Sequence, residues 1–332
     1  MTKLIVTLVV LGILTTVYTT IVRSIDRFEK EPPRYLLYAF LWGAVPAIAL
    51  SIIFEVLFSI PLRNWLGDNP NQYNLAILAI DAPITEEIIK GMFVAIVYRR
   101  RRHEFDGWVD GMVYGAMVGF GFAYIENVQY LMGTDTWERW AQLLILRAVI
   151  FGGMHGFWTA LTGIGFGVAR YSSQIWQRIL AIFLGLTAAM SMHMVHNAAT
   201  ALTGLTRGFS FALALFDYSF LLMIMIILWE VAGRVERQYL QTYLREEVPL
   251  ILSSKYYEAI CTPGQEAWQV LGLNSAQQRE IVQVAAELAQ KKRQFHQLGE
   301  EDGNTSRIYE LREQLRQKVM ASRQDATPMC NG

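Results

Sequence analysis

Seven apolar stretches, each near the ~20 residues needed to cross a bilayer, constrain the fold of this chain most strongly. They lie at about 4–22, 35–58, 73–98, 108–132, 141–168, 179–203 and 209–230. Only 17% of the 332 residues are charged, whereas a soluble domain carries about 25%. We therefore expect an all-α, polytopic transmembrane helix bundle of about seven spans, whose first stretch is a retained membrane helix rather than a cleaved signal peptide.

The third stretch is the least certain span, because Asp81, Glu86, Glu87 and Lys90 together oppose insertion by roughly 10 kcal/mol. Loop charges nevertheless favour a crossing, since alternate loops are rich in Lys and Arg, as cytoplasmic loops are. These residues are Arg23, Arg27, Lys30 and Arg34, then Arg99–Arg102, then Arg170 and Arg178, and finally Arg234 and Arg237. The intervening loops hold one arginine each: Arg63, Arg139 and Arg207. This alternation predicts a multi-pass plasma-membrane protein with an external N-terminus and a cytoplasmic tail.

A change in composition near residue 231 predicts a membrane domain, 1–230, and a tail, 231–332. In the tail, amphipathic runs near 276–298 and 305–323 indicate a cytoplasmic helical hairpin with a disordered end. The formal net charge of zero gives no argument for nucleic-acid binding. Cys261 and Cys330 form neither a disulfide framework nor a zinc-finger pattern. We expect a cytoplasmic partner for the tail and anionic lipid at Arg99–Arg102.

Acidic and imidazole side chains inside the apolar stretches carry the functional signal. They are Glu86, Glu87, Glu126, His155 and His193. Each costs roughly 2.5–3.5 kcal/mol at a helix centre, so an intramembrane polar site is the default hypothesis. Helix rise places them at similar depths, between the midplane and the outer side, which makes one shared cluster possible.

Helical spacing adds neighbours to these residues. Lys90 follows Glu86 by four positions and Glu87 by three, so it can pair with either carboxylate and leave the other for general acid/base work. Likewise, His193 precedes His196 by three positions and Asn197 by four, so these side chains can point the same way.

Four ordered motifs in a core of about 73–205 resemble the PrsW family of intramembrane proteases, which is related to the CAAX-prenyl endopeptidase group. They are EExxK at Glu86-Glu87-Lys90, FxxxE at Phe122–Glu126 followed by Asn127, HxxWT at His155–Trp158–Thr159, and HxxxN at His193–Asn197. The whole resemblance covers roughly residues 25–205. The resemblance implies hydrolysis of peptide bonds in single-span membrane protein substrates during regulated proteolysis, for example of anti-sigma factors. It further implies a catalytic set of Glu86, Glu87, Glu126, His155, His193 and Asn197, with Lys90, Phe122, Asn127, Trp158, Thr159 and His196 in support.

Two mechanisms remain open at this point. His155, His193 and Glu126 make a possible zinc site with Glu86 or Glu87 as the base. Alternatively, Glu86 or Glu87 activates water beside Glu126 without a metal, while His155 and Asn197 bind the developing oxyanion. Because the chain has no HExxH motif, we slightly favour the metal-free mechanism.

Other functions and simpler explanations also compete. Buried Glu and His chains can form a proton-coupled transporter or channel, although no inverted repeat is evident. A non-catalytic membrane scaffold that presents the tail is a third possibility. Glu86 and Glu87 could form a structural ion pair with Lys90 or Arg147, and Arg147 and Asp217 are expected to be structural partners. Gly111, Gly115 and Gly119 predict close helix packing beside the site.

Overall fold

The computed structural model describes residues 1–25, 30–66, 69–102, 104–262, 264, 266–301 and 303–325, and every regular element in these ranges is helical. The all-α prediction is therefore confirmed. The chain divides into two units, one made of Met1–Ile25 and Glu31–Leu228 and the other running from Trp229 onward. The division falls inside the long helix that also contains the predicted domain boundary.

The first unit is built from helices joined by short connections. They are α1 (Thr2–Arg23), α2 (Pro33–Trp42), α3 (Ile48–Leu66), α4 (Pro70–Ala76), α5 (Ala82–Arg100), α6 (Trp108–Met132), α7 (Trp137–Leu144), α8 (Met154–Arg170), α9 (Ile175–Ala201) and α10 (Phe209–Tyr243), the last of which continues into the second unit. Three π-helical segments interrupt this series at Gly43–Ala47, Ile77–Asp81 and Ile145–Ile150. Such segments widen the helix locally and often occur at functional sites.

Five helical stretches in the described residues are long and apolar enough to cross a membrane. They are Thr2–Arg23, Pro33–Leu66, Trp137–Arg170, Ile175–Ala201 and Phe209–Glu247. The predicted spans at 73–98 and 108–132 are not among them. The first of these runs from α4 through the π-helical segment Ile77–Asp81 into α5, whose sequence carries Glu86, Glu87 and Lys90. The second is α6, most of whose residues are buried within the unit.

Helix α6 lies at the centre of the first unit, where it packs against α1, α2 and α8. The predicted glycine packing is confirmed. A Cβ atom on Gly111, Gly115 or Gly119 would lie only 2.1–2.3 Å from a backbone oxygen of α8. Glycine at these three positions lets the backbones of α6 and α8 touch, and helices α5 and α9 complete the packing around α8.

The second unit contains its own core. After α10 come α11 (Ser254–Cys261), α12 (Glu266–Gln269), α13 (Ser275–Leu298) and α14 (Asn304–Asp325). The last two form the predicted helical pair, and buried apolar side chains from Leu240 to Val319 form one cluster. The predicted disordered end falls at residues 326–332, outside the described residues.

Candidate functional site

The polar residues of the first unit meet where α5, α6, α8 and α9 face one another. Glu86 and Glu87 of α5, His155 of α8 and His193 of α9 each offer an atom within 4.8 Å of the others. Glu126 of α6 joins them, because His155 Nε2 lies 2.9 Å from Glu126 Oε2. The structure thus brings into one cluster the residues that the sequence placed at similar depths.

Lys90 lies in the middle of this cluster and is fully buried. Its Nζ atom is 2.9 Å from Glu86 Oε2, 2.9 Å from Glu87 Oε1 and 3.0 Å from His155 Nδ1. The Phe122 ring covers the ammonium at 3.8 Å from the ring centroid. A lysine placed in this way balances the buried carboxylates and lets α5 enter the interior of the unit.

Glu87 is the most fully bonded acid of the site. Its Oε1 accepts from Lys90 and, at 3.2 Å, from His193 Nδ1, and its Oε2 accepts from Thr159 Oγ1 at 3.0 Å. Its side chain has no exposed surface. Since both oxygens are occupied, Glu87 acts as the anchor that ties α5 to α8 and α9.

Glu86 accepts fewer hydrogen bonds than Glu87. Among the described residues, Lys90 is its one hydrogen-bond donor, and His155 Nδ1 lies 3.9 Å from Glu86 Oε2. Its side chain keeps 8% of its surface exposed, against none for Glu87. Of the two adjacent glutamates, Glu86 therefore has the free acceptor capacity that general base catalysis requires.

On the other side of His155, Glu126 is held by an arginine from the π-helical segment. Arg147 Nη2 donates to Glu126 Oε2 at 2.6 Å, and Arg147 Nε donates to Asn127 Oδ1 at 2.9 Å. The guanidinium lies 3.7 Å from the centroid of the Tyr130 ring. The sequence prediction of a structural role for Arg147 agrees with these contacts, but its partner is Glu126 rather than Glu86 or Glu87.

The imidazole rings are fixed by aromatic neighbours as well as by carboxylates. Trp158 stacks on His193 with 4.0 Å between ring centroids and an interplanar angle of 15°. It also meets His155 edge-on at 5.0 Å. The HxxWT motif therefore places His155, Trp158 and Thr159 on one face of α8, where all three contact the cluster.

A cavity of about 300 Å³ opens against this cluster. Its polar lining consists of Glu126, Asn127, Tyr130, Arg147, His155, Trp158, His193, His196, Asn197 and Thr200, and apolar side chains such as Leu78, Leu143, Leu146, Phe151 and Met154 form much of the rest. Glu86, Glu87 and Lys90 are not part of this lining, although they contact His155 and His193, which are. A mainly apolar lining with several polar groups is typical of a ligand-binding cavity.

His196 and Asn197, two further predicted residues, also line the cavity, whereas Asp217 does not. Asn197 Nδ2 donates to the Leu78 carbonyl at 2.9 Å, which joins α9 to the π-helical segment before α5. His196 is buried beside Phe151, at 4.7 Å between ring centroids. Its Nδ1 has no hydrogen-bond partner within the described ranges, and the same is true of Asp217 Oδ2 on α10. Asp217 therefore lacks, at that oxygen, the structural partner that we expected.

The predicted zinc ligands differ from the arrangement in the structure. The group that could hold a metal contains Glu86, Glu87, His155 and His193, whereas Glu126 bonds the far nitrogen of His155. Glutamate and histidine are suitable zinc ligands. However, Lys90 Nζ is 2.9–3.0 Å from three of these four residues, so an ammonium fills the space between the candidate ligand atoms. As arranged, the residues do not accommodate a metal ion.

Two features of the site were not predicted from the sequence. One is the bond between Lys90 and His155, which joins residues 65 positions apart. The other is the position of Tyr130 and Phe151 on the cavity wall. A lone arginine within an apolar stretch was the available signal for the Glu126–Arg147 pair, but nothing in the spacing identified its partner.

Comparison with known proteins gives one family. The family model described as PrsW family intramembrane metalloprotease matches residues 31–229, a range that contains all four motifs. Curated relatives named Protease PrsW include those of Geobacillus kaustophilus, 29% identical over 147 residues, and Bacillus subtilis, 27% identical over 168 residues. These matches cover 44% and 51% of this chain, and 59% and 70% of the respective relatives. No solved structure gives a significant match.

Proposed function

The chain belongs to the PrsW family of intramembrane metalloproteases, and from this membership we propose that it is an intramembrane endopeptidase. The observation that carries the proposal is the meeting of two adjacent glutamates with His155 and His193, two histidines that line a groove between helices. Such a groove can receive an unwound segment of a substrate helix, and the carboxylates and imidazoles can activate water and stabilise charge. The proposed substrates are single-span membrane proteins such as anti-sigma factors, cleaved in regulated proteolysis.

In this proposal, Glu86 accepts the proton of the attacking water, because it alone of the adjacent glutamates keeps free acceptor capacity. Glu87 holds α5, α8 and α9 together through Lys90, Thr159 and His193. His155 lies between Glu86 and Glu126, so it can bind the developing oxyanion or pass a proton between them. Because Lys90 fills the space between the candidate metal ligands, no step is assigned to a metal.

The test uses the full-length chain in membranes with a co-expressed, membrane-anchored anti-sigma factor that carries a tag at each end. We expect Glu86→Gln to reduce cleavage by about 10²–10⁴-fold, the usual contribution of a general base. Glu138→Gln, at an exposed position on α7, is the matched control and should cleave normally. Normal cleavage by Glu86→Gln, or cleavage that continues when the chain is omitted, would contradict the proposal.

We further propose that α5 and α6 cross the membrane, which gives seven spans, an external N-terminus and a cytoplasmic tail. The burial of α6 by its neighbours and the pairing of the α5 charges with one another support this, since neither helix must then present charge to lipid. Arg99–Arg102 are exposed at the end of α5, where they would meet anionic lipid. A reporter fused after Arg102 should read cytoplasmic, and an external signal would remove α5 from the set of spans.

A further inference from the structure

Lys90 is enclosed by a set of acceptors that matches its donors. A lysine ammonium has three N–H groups and no acceptor. Here they meet Glu86 Oε2, Glu87 Oε1 and His155 Nδ1 at 2.9–3.0 Å. The Phe122 ring closes a further side, and the lysine side chain has no exposed surface. The ammonium is thus surrounded as a cation is in a coordination site, with one acceptor atom from each neighbour.

The tautomer of His155 follows from its other nitrogen. Glu126 Oε2 also accepts from Arg147, and an ionised carboxylate can only accept, so His155 Nε2 carries the proton that it donates to Glu126 at 2.9 Å. In the neutral ring, Nδ1 then holds the lone pair and accepts from Lys90. This is also the lone pair that His155 would offer to a metal ion, and the bond from Glu126 would orient it in the same way.

The candidate metal ligands and the acceptors around Lys90 are therefore largely the same atoms. Three of the four residues that could hold a metal already bond the ammonium, and the fourth, His193, bonds Glu87. A zinc ion would lie about 2.0–2.2 Å from its ligands, inside the volume that Lys90 Nζ fills. Two cations cannot share this enclosed space, because they would repel strongly in a medium of low dielectric constant.

We propose that the Lys90 ammonium is the resident cation of this site, and that it keeps a divalent metal from binding to Glu86, Glu87, His155 and His193. The lysine lies on α5, one helical turn after the two glutamates, so the cation is part of the protein itself. Metal binding can be measured without any substrate. Only the consequence of the resident ammonium for catalysis rests on the proposed function.

The test is the zinc content of the purified full-length protein after incubation with zinc and removal of the free ion. Wild type should retain no more zinc than His155→Ala, which lacks one candidate ligand. Lys90→Met keeps the length of the side chain without its charge, and it should retain at least tenfold more zinc than wild type. The double variant Lys90→Met/His155→Ala should lose this added zinc, which would show that the ion sits among the named ligands.

Stoichiometric zinc in wild type that disappears in His155→Ala would overturn the proposal. So would a folded Lys90→Met that retains no more zinc than wild type. If Lys90→Met fails to fold, the comparison of wild type with His155→Ala still decides. Cleavage is scored separately: inhibition by the chelator 1,10-phenanthroline would count against a resident ammonium, whereas absence of cleavage under all conditions would contradict only the proposed function.

Discussion

Two lysines in this chain each neutralise a pair of consecutive glutamates, but in different surroundings. Lys90 bonds Glu86 and Glu87 from the same helix, and the rest of that site contains imidazole, hydroxyl and aromatic groups together with the ion pair of Glu126 and Arg147. In the second unit, Lys292 of α13 bonds Glu246 and Glu247, and a second cation, Arg312 of α14, bonds the same two acids.

The number of cations for each carboxylate distinguishes the candidate reaction site from the structural ion pair. In the second unit, two cations serve two carboxylates, and Glu246 is 62% exposed to solvent. In the first unit, one ammonium serves two enclosed carboxylates, so part of the acceptor capacity is left for imidazoles, a hydroxyl and water. The same residue pattern therefore stabilises the fold in the second unit, whereas in the first unit it leaves reactive groups beside a cavity.

The largest expected difference comes from removing each lysine. Lys90→Met leaves two enclosed carboxylates without a cation, so we expect the free energy of unfolding of the membrane unit to fall by about 3–5 kcal/mol and cleavage to be lost. Lys292→Met leaves Arg312 bonded to both glutamates, so we expect a smaller loss of stability than in Lys90→Met, with normal cleavage. Unfolding of the full-length chain in detergent, followed by tryptophan fluorescence, measures both. Equal losses would remove the distinction between the two sites.

The second prediction concerns the contact that positions His155. A Cβ atom on Gly119 would lie 2.1 Å from the His155 carbonyl oxygen, so Gly119→Ala must push α6 and α8 apart. We expect a loss of about 1–3 kcal/mol in stability and, because a shift near 1 Å misplaces the imidazole, about 100-fold less cleavage. Gly12→Ala in α1 is the control, since nothing lies within 4 Å of its added Cβ. Unchanged cleavage in Gly119→Ala would show that the cluster tolerates helix displacement.

The sequence predicts contacts within one helix better than contacts between helices. Helical spacing alone predicts that Lys90 can reach Glu86 and Glu87, and GxxxG spacing predicts the close packing of α6. The pairing of Glu126 with Arg147 could not be predicted, because Arg147 lies on a π-helical segment whose wider turn changes the direction of its side chain. The sequence predicts a span at 108–132, but α6 is not among the described helices that are apolar enough to cross a membrane, and most of its residues are buried by neighbouring helices.

The third prediction tests Arg147 as a positioning residue for Glu126 and His155. Arg147→Gln removes the guanidinium that holds Glu126 Oε2, so the carboxylate is free to turn away from His155 Nε2. We expect kcat to fall by about 10–100-fold with little change in KM, because the groove itself stays intact. Arg147→Lys keeps the charge and should recover part of the rate. A change confined to KM would instead place Arg147 in contact with the substrate.

The smallest effect is expected in the second unit at Glu246, which is the exposed member of its acid pair, whereas Glu247 is buried. The hydrogen bond from Lys292 lowers the pKa of Glu246 from its ordinary value of 4.5. Its stabilising contribution is therefore complete above that value and is lost as the pH falls through the lower pKa of the folded state. Such an exposed pair contributes about 0.2–1 kcal/mol. Thermal unfolding of the full-length chain between pH 7 and pH 3 should show wild type more stable than Glu246→Gln at neutral pH and equal to it at the acid end. A stability difference that grows on acidification would mean that Lys292 does not favour the charged form of Glu246, and the second site would then no longer be the simple ion pair with which the first is contrasted.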